Sequence, residues 1–157
     1  MSPIDVHGMP ASAPCRIVNM TAECLGVEYN FKLLDLMAGD HMKPEFLAIN
    51  PMHNIPTMVD GDFVMNESRA IAAYLVNKYG KDDQLYPKDA DVRARVDQKL
   101  YFDMGVFYKV TSICTLTFGE SFDPLRFSIP GMVDINQFHI LVTTSFHTRL
   151  DTYLKFT

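Results

Sequence analysis

The chain has 157 residues and a formal charge of −5, with 14 Lys and Arg against 19 Asp and Glu. Hydrophobic residues make up 48% and charged residues 21%, proportions that are typical of a soluble globular protein and exclude a disordered or fibrous class. The net acidity argues against broad nucleic-acid binding, which needs a basic face. No apolar run approaches the roughly 18–20 residues that a membrane span requires.

Cysteine and histidine usage limits the redox and metal chemistry. Cys15, Cys24 and Cys114 are odd in number and widely spaced, which predicts reduced thiols and no disulfide framework. The histidines have no metal-ligand spacing, and the sequence contains neither C-x-x-C nor H-E-x-x-H. The first residues lack the basic and apolar regions of a secretory signal. We therefore expect a cytoplasmic protein without a metal.

The first eighty residues alternate short strands with helices. Ser12 is a good N-cap and Gly26 a natural helix stop, while Asp60-Gly61-Asp62 is a hairpin turn. Asn66 is expected to cap a later helix that Gly80 ends. The predicted elements, in chain order, are a strand at 4–7, a helix at 12–25, a strand at 29–34, a short helix at 44–49, hairpin strands at 57–59 and 63–65, and a helix at 66–79.

After the polar segment 81–88 the pattern changes to helical. Apolar residues recur every three or four positions from 89 to about 118, which predicts one long amphipathic helix, and a last helix is expected at 138–154. The organisation is therefore an α/β domain at 1–80 (βαβ, then ββα), a linker at 81–88, and an all-α domain at 89–157.

Ser12 lies at a predicted strand-to-helix junction. Unpaired N–H groups and the positive end of the helix dipole favour a negative charge there, and the Ser12 hydroxyl can donate a hydrogen bond to a thiolate. Ser is also a routine N-cap, so a purely structural role is the alternative. Cys15 stands where the second cysteine of a C-x-x-C site would, but Ser12 occupies the first position. We therefore interpret Cys15 as a small buried apolar residue.

Two further segments combine a structural signal with groups that can bind a ligand. An X-Pro bond before a strand can be cis, and Ile55 ahead of Pro56 would then offer its backbone to an extended ligand; a plain turn is the alternative. At the predicted helix start, Ser68 and the backbone N–H groups can hold a carboxylate, with Glu67 or Arg69 taking an opposite charge. A capping box with solvated charges is the alternative there.

Four segments in this order closely resemble the cytosolic glutathione transferases, above all the arthropod delta class and next the epsilon class. They are S-A-P-C-R at 12–16, D-L-M-A-G-D-H-M-K-P-E-F-L-A-I-N-P at 35–51, H-N-I-P-T at 53–57 and N-E-S-R-A-I at 66–71. The resemblance covers about the first 110 residues. It implies a thioredoxin-like domain with a mixed four-stranded sheet, followed by an all-helical domain, and a homodimer.

The resemblance also implies roles for individual residues. Ser12 would activate the thiol of glutathione, the cosubstrate, and Asp103 would contribute from the neighbouring subunit. The residues that match the glutathione-binding positions are His41, His53, Ile55 ahead of a cis Pro56, Glu67, Ser68 and Arg69. Those expected to line the pocket for the acceptor substrate are Met104, Tyr108 and Thr111.

The chain departs from the family in three places. The helical domain is shorter than usual, and after Tyr108 several aromatic residues of the acceptor pocket are replaced by residues such as Thr111 and Cys114. Asn66 stands where Trp is more frequent, which predicts looser packing at that helix start. The leading hypothesis is glutathione conjugation to electrophilic, mostly apolar substrates in detoxification. The alternative is a glutathione-binding module that sequesters ligands, and a thiol–disulfide reductase using Cys15 is disfavoured.

Overall fold

The computed structural model describes residues 3–109. The elements in chain order are β1 (Ile4–Gly8), α1 (Ala13–Leu25), β2 (Tyr29–Leu33), a 3-10 turn (Asp40–Met42), α2 (Pro44–Leu47), β3 (Thr57–Asp60), β4 (Phe63–Asn66), α3 (Ser68–Tyr79), α4 (Ala90–Phe102) and a π-helical turn (Asp103–Phe107). The strands and helices predicted for the first eighty residues are all present, with ends that differ by one or two residues.

The four strands form one mixed sheet in the order β2-β1-β3-β4. β1 and β2 are parallel, as two strands joined by a helix require, whereas β3 pairs antiparallel with both β1 and β4. Asp60 and Phe63 close the β3–β4 hairpin, in which Gly61 adopts a φ of 62°. This βαβ–ββα arrangement is a thioredoxin-like domain, which confirms the predicted fold class.

Local signals explain where α1 begins and ends. Ser12 has extended backbone angles and caps the helix, and a proline occupies the first turn, where a missing N–H costs nothing. Gly26 ends the helix in the left-handed conformation at a φ of 67°, and its N–H bonds the carbonyls of Ala22 and Glu23.

The core of the domain lies between the sheet and the helix pair α1 and α3. Alternate residues of β1 point into it, and the apolar stripes of the two helices meet there. Its buried members are Ile4, Val6, Val18, Ala22, Met58, Ile71 and Leu75. Full burial of each large aliphatic side chain contributes about 1.5–3 kcal/mol to the stability of the fold. This cluster therefore stabilises the sheet, whose strand ends carry the loops.

A second, polar anchor ties α3 to the hairpin. One carboxylate oxygen of Asp60, Oδ2, accepts hydrogen bonds from Tyr74 at 2.8 Å, Lys78 at 2.7 Å and Tyr79 at 2.7 Å. Burial opposes ionisation of Asp60, but the three donors outweigh it, so the pKa of this carboxyl is lowered. The ring of Phe63 stacks on Tyr74 at 4.9 Å. Helix α3 is therefore fixed at its far end by charge-assisted hydrogen bonds.

The helical region begins as predicted and then changes from an α-helix to a π-helical turn. α4 starts at Ala90, and the π-helical turn follows it within the range predicted as one continuous helix. Val92, predicted to lie on the apolar stripe, is 48% exposed. The first compact unit ends at Val96, beyond the expected linker at 81–88. The domain boundaries stay predictions, and the helix expected at 138–154 lies outside the described residues.

Candidate active site

The predicted binding residues of the first domain gather at one end of the sheet. Gly8 pairs with Leu33, so the chain leaves β1 and β2 on the same side. Thr57 pairs with Asn66, and His7 pairs with Thr57, so β3 begins and β4 ends there too. We call this end of the sheet, with the loops that leave it, the strand-end edge. Ser12, His41, His53, Ile55, Glu67 and Ser68 all follow or precede a strand at this edge.

Ser12 occupies the positive end of α1 and is half-buried. Its Oγ accepts the N–H of Cys15 at 3.4 Å, a long cap bond, and its own N–H donates to the Met9 carbonyl at 3.0 Å. Because Oγ is used as an acceptor, the hydroxyl proton is left to donate outward. The two interpretations of Ser12 are therefore compatible, since the same oxygen can cap the helix and stabilise an anion.

Cys15 is inaccessible. The side chain is fully buried, and a Cβ added to Gly8 would come within 2.6 Å of its Sγ. Thiol–disulfide exchange needs an accessible sulfur, which this side chain does not offer. The expected packing role of Cys15 is therefore seen, and the reductase interpretation loses its nucleophile. Cys24 is a free, exposed thiol on α1.

The segment that leads into β3, residues 50–56, is a loop that we call the cis-proline loop. The Ile55–Pro56 peptide bond is cis, and Pro56 is buried while Ile55 is half-buried. Asn50, itself buried, donates from Nδ2 to Thr57 Oγ1 and Asn54 Oδ1, both at 2.8 Å. Thr57 in turn donates to the Asn54 carbonyl at 2.9 Å. These side-chain hydrogen bonds stabilise the loop, as backbone hydrogen bonds between strands stabilise a sheet.

The start of α3 carries the strained residue of the site. Glu67 has φ 72° and ψ 98°, a combination that only glycine adopts without cost, and its side chain is exposed and makes no cap bond. Ser68 is buried, and its Oγ accepts a hydrogen bond from Arg69 Nη1 at 2.8 Å. A non-glycine residue held at positive φ marks a position that surrounding contacts enforce, which is typical of ligand-binding segments.

The expectation that Asn66 caps this helix is wrong. Asn66 is the last residue of β4 and pairs with Thr57, while the cap position falls on Glu67. The reason is the positive φ of Glu67, which turns the chain from strand to helix within a single residue. The side chain of Asn66 donates instead to Asn54 Oδ1 at 3.1 Å and lies 3.3 Å from Met52 Sδ.

The two histidines of the edge face each other. The rings of His41, in the 3-10 turn, and His53, at a φ of 45° in the cis-proline loop, have centroids 6.2 Å apart. The Nδ1 atom of His41 is buried and has no hydrogen-bond partner among residues 3–109. Buried polar atoms are almost always satisfied, so this nitrogen is an exception within the described residues.

His7, which sequence reasoning did not single out, packs against α2. Its ring packs against Phe46 of α2 at 5.7 Å between centroids. Burial lowers the pKa of His7, and Lys32 acts in the same direction while Asp5 opposes it. The neutral ring is therefore the form that the fold accommodates. No sequence spacing marks this role, because it depends on α2 crossing β1.

Met104 and Tyr108, predicted for the acceptor pocket, and Asp103, predicted to act across a subunit interface, lie in the second compact unit. Asp103 is buried in the π-helical turn, and Met104 and Tyr108 are exposed. Thr111 lies outside the described residues. Over the described range, no helix is both long and apolar enough to cross a membrane, and no three His, Cys, Asp or Glu side chains gather as a metal-ligand set.

At one end of this thioredoxin-like sheet lie a serine-capped helix, a cis-proline loop and the strained backbone of Glu67. Residues 6–83 match the family model of the glutathione S-transferase N-terminal domain. The match spans α1, the cis-proline loop and α3, and so covers the whole strand-end edge.

Solved structures extend this likeness. A delta-class glutathione transferase of Nilaparvata lugens is 52% identical with a TM-score of 0.70, over 76% of this chain and 57% of that one. A glutathione transferase homolog of Drosophila mojavensis, solved with bound glutathione, is 42% identical with a TM-score of 0.70, over 74% and 54%. An epsilon-class enzyme of Musca domestica is 39% identical with a TM-score of 0.68, over 73% and 54%.

The chain belongs to the glutathione transferase family and is similar to its delta and epsilon classes. It covers only 57%, 54% and 54% of the lengths of these three solved relatives.

Proposed function

We propose that the chain binds reduced glutathione along the strand-end edge and activates its thiol through Ser12 for conjugation to electrophilic, mostly apolar substrates. The observation that carries the proposal is the state of the Ser12 hydroxyl. Its oxygen accepts the Cys15 N–H at 3.4 Å, which leaves the hydroxyl proton to donate to a thiolate. The solved relative with bound glutathione supports the choice of ligand.

Each part of the tripeptide has a group of suitable chemistry at the edge. The Ile55 backbone, ahead of the cis bond, offers a donor and an acceptor to the extended ligand in the manner of an added strand. Glu67 and Ser68 would hold the γ-glutamyl end, with Arg69 fixing the Ser68 hydroxyl at 2.8 Å. His41 and His53, whose rings lie 6.2 Å apart between centroids, would receive the glycine carboxylate.

The activation step is a change in thiol ionisation. A free cysteine thiol, with a pKa of about 8.5, is only a few per cent ionised at pH 7, and lowering the pKa by about two units makes it mostly thiolate. Such a shift corresponds to about 2.7 kcal/mol. A hydrogen bond to a charged acceptor contributes about 1.5–3 kcal/mol and the helix dipole about 0.3–1 kcal/mol, so together they suffice. Ser12 donates and forms no covalent bond.

Several parts of the proposal rest on the family resemblance alone. These are the acceptor pocket of Met104, Tyr108 and Thr111, the contribution of Asp103 from a neighbouring subunit, the homodimer, and a cytoplasmic role in detoxification. Light scattering tests the homodimer, and a panel of electrophiles tests the acceptor pocket.

The decisive experiment is a pH titration of the ultraviolet thiolate absorbance of glutathione bound to the 157-residue chain. We expect a bound thiol pKa clearly below that of free glutathione. Ser12→Ala should raise it by about one unit or more, because a charge-assisted hydrogen bond is lost. Ser12→Asp is the matched control for capping, since aspartate caps as well as serine but repels a thiolate.

The outcomes separate the hypotheses. Loss of the pKa shift in both variants, with the stability retained in Ser12→Asp, supports activation by the serine hydroxyl. Binding with an unshifted pKa in the unsubstituted chain would contradict activation and favour the alternative, a module that sequesters glutathione or its conjugates. Absence of glutathione binding would contradict both.

A further inference from the structure

The side-chain hydrogen bonds of the cis-proline loop have a fixed polarity, which means that the donor and the acceptor of each bond can be assigned. The backbone N–H of Met52 can only donate, so the atom of Asn50 that faces it at 3.0 Å is the oxygen Oδ1. The Nδ2 of Asn50 therefore points to Asn54 and Thr57. Since Asn50 donates to Asn54 Oδ1, the amide of Asn54 has only one acceptable orientation.

This polarity extends to the last residue of β4. Asn54 Oδ1 is an acceptor, so Asn66 must present its Nδ2 to it, and the two atoms are 3.1 Å apart. The same Nδ2 lies 3.3 Å from Met52 Sδ, a weak acceptor. One amide group thus joins the strand that leads into α3 to two residues of the cis-proline loop.

The position of this link in the chain gives it a consequence for binding. Asn66 directly precedes Glu67, whose φ of 72° is enforced by its surroundings, and Asn54 directly precedes Ile55 and the cis bond. The two neighbours are the groups assigned above to the γ-glutamyl end and to the backbone of the ligand. The Asn66–Asn54 hydrogen bond therefore adds a side-chain link between these two binding elements, beside the backbone pairing of Asn66 with Thr57.

We propose that Asn66 is a positioning residue for glutathione, holding the cis-proline loop in register with the start of α3 through its hydrogen bond to Asn54. The inference rests on the proposed function. Preorganisation is the physical reason, since a ligand that spans two elements binds more tightly when their spacing is fixed beforehand. Asn66 does not touch the ligand in this proposal and acts through its neighbours.

Two charge-matched variants test the link. Asn66→Asp replaces the donor with an oxygen that faces Asn54 Oδ1, and Asn54 cannot rotate to meet it without losing the bond from Asn50. Asn54→Asp adds the same charge but keeps an acceptor for both amides. By calorimetric titration of the full chain, we expect Asn66→Asp to weaken glutathione binding about tenfold, which corresponds to about 1.4 kcal/mol. Asn54→Asp should lose clearly less affinity than Asn66→Asp.

The outcomes distinguish positioning from simple stabilisation and from charge. If Asn66→Asp lowers the melting temperature but the folded protein binds glutathione with unchanged affinity, the role is structural and the proposal is wrong. Equal loss of affinity in both variants would assign the effect to the added charge and would also overturn it. Asn66→Leu removes the donor without a charge, is expected to reproduce the loss, and replaces Asn66→Asp if that variant does not fold.

Failure of the proposed function is recognised separately. If the unsubstituted chain binds no glutathione, the link is judged by hydrogen exchange of the Ile55 amide in the ligand-free protein. Asn66→Asp should then accelerate this exchange more than Asn54→Asp does. Equal exchange rates in the two variants would overturn the positioning role.

Discussion

Replacing Glu67 with glycine should stabilise the fold while it weakens glutathione binding. Glu67 has a φ of 72° and a ψ of 98°, and its exposed side chain makes no cap bond, so the substitution removes backbone strain and breaks no side-chain capping bond. A strained non-glycine residue costs about 1–3 kcal/mol. The extra freedom of glycine in the unfolded chain offsets about 0.5–1 kcal/mol of that gain.

Glu67→Ala is the matched control, because it removes the carboxylate but keeps the Cβ that causes the strain. We expect the free energy of unfolding of Glu67→Gly to exceed that of Glu67→Ala by about 1 kcal/mol, measured by urea unfolding followed by circular dichroism. Both variants should bind glutathione more weakly than the unsubstituted chain. A glycine variant less stable than the alanine variant would refute the strain argument.

Two further perturbations test the framework beneath the site. Burial lowers the pKa of His7 from 6.5 in the folded protein. Once the pH falls below about 6.5, the unfolded chain therefore binds more protons than the folded chain does. The free energy of unfolding should decrease on acidification until the folded-state pKa is passed. His7→Phe should remove this part of the slope in urea unfolding across pH 5–7, and an unchanged slope would refute the assignment. Asp60→Asn should lower the free energy of unfolding by about 2 kcal/mol, because three hydrogen bonds lose their charged acceptor. The hairpin neighbour Asp62, which is exposed, is the control, and equal effects of Asp60→Asn and Asp62→Asn would contradict the anchor.

The elements of the first domain could be predicted because their signals are local. The caps of α1 at Ser12 and Gly26, the alternation of the strands and the Asp-Gly hairpin turn all act within a few residues. The residues expected at the binding site were found through the resemblance of four short segments, and the sheet topology then brings them to one edge.

Predictions at the start of α3 failed because that region is not locally determined. Asn66 has the composition of an N-cap, yet its pairing with Thr57 keeps it in β4 and moves the cap to Glu67. From local sequence rules, glycine is the residue expected at a position with positive φ. Glu67 lies between Asn66, which pairs with Thr57, and the buried Ser68, so the packing on both sides places it there.

The cis-proline loop likewise combines features that the sequence predicts with features that only the fold decides. Its sequence indicates a turn before a strand and leaves the isomer of Ile55–Pro56 open, since the two isomers of an X-Pro bond differ by only about 0.5–1 kcal/mol. The hydrogen bonds of Asn50 and Asn54 could not be predicted, because amide side chains have no preferred partner until the fold supplies one.

The sequence by itself determined the order of strands and helices, the cap at Ser12 and the family to which the chain belongs, since these depend on patterns of neighbouring residues. The tertiary structure decided the strained backbone of Glu67, the buried nitrogen of His41 and the polarity of the bonds between Asn50, Asn54 and Asn66. The physical reason is that backbone strain and specific side-chain hydrogen bonds depend on which groups the folded chain packs together, which no pattern of neighbouring residues specifies.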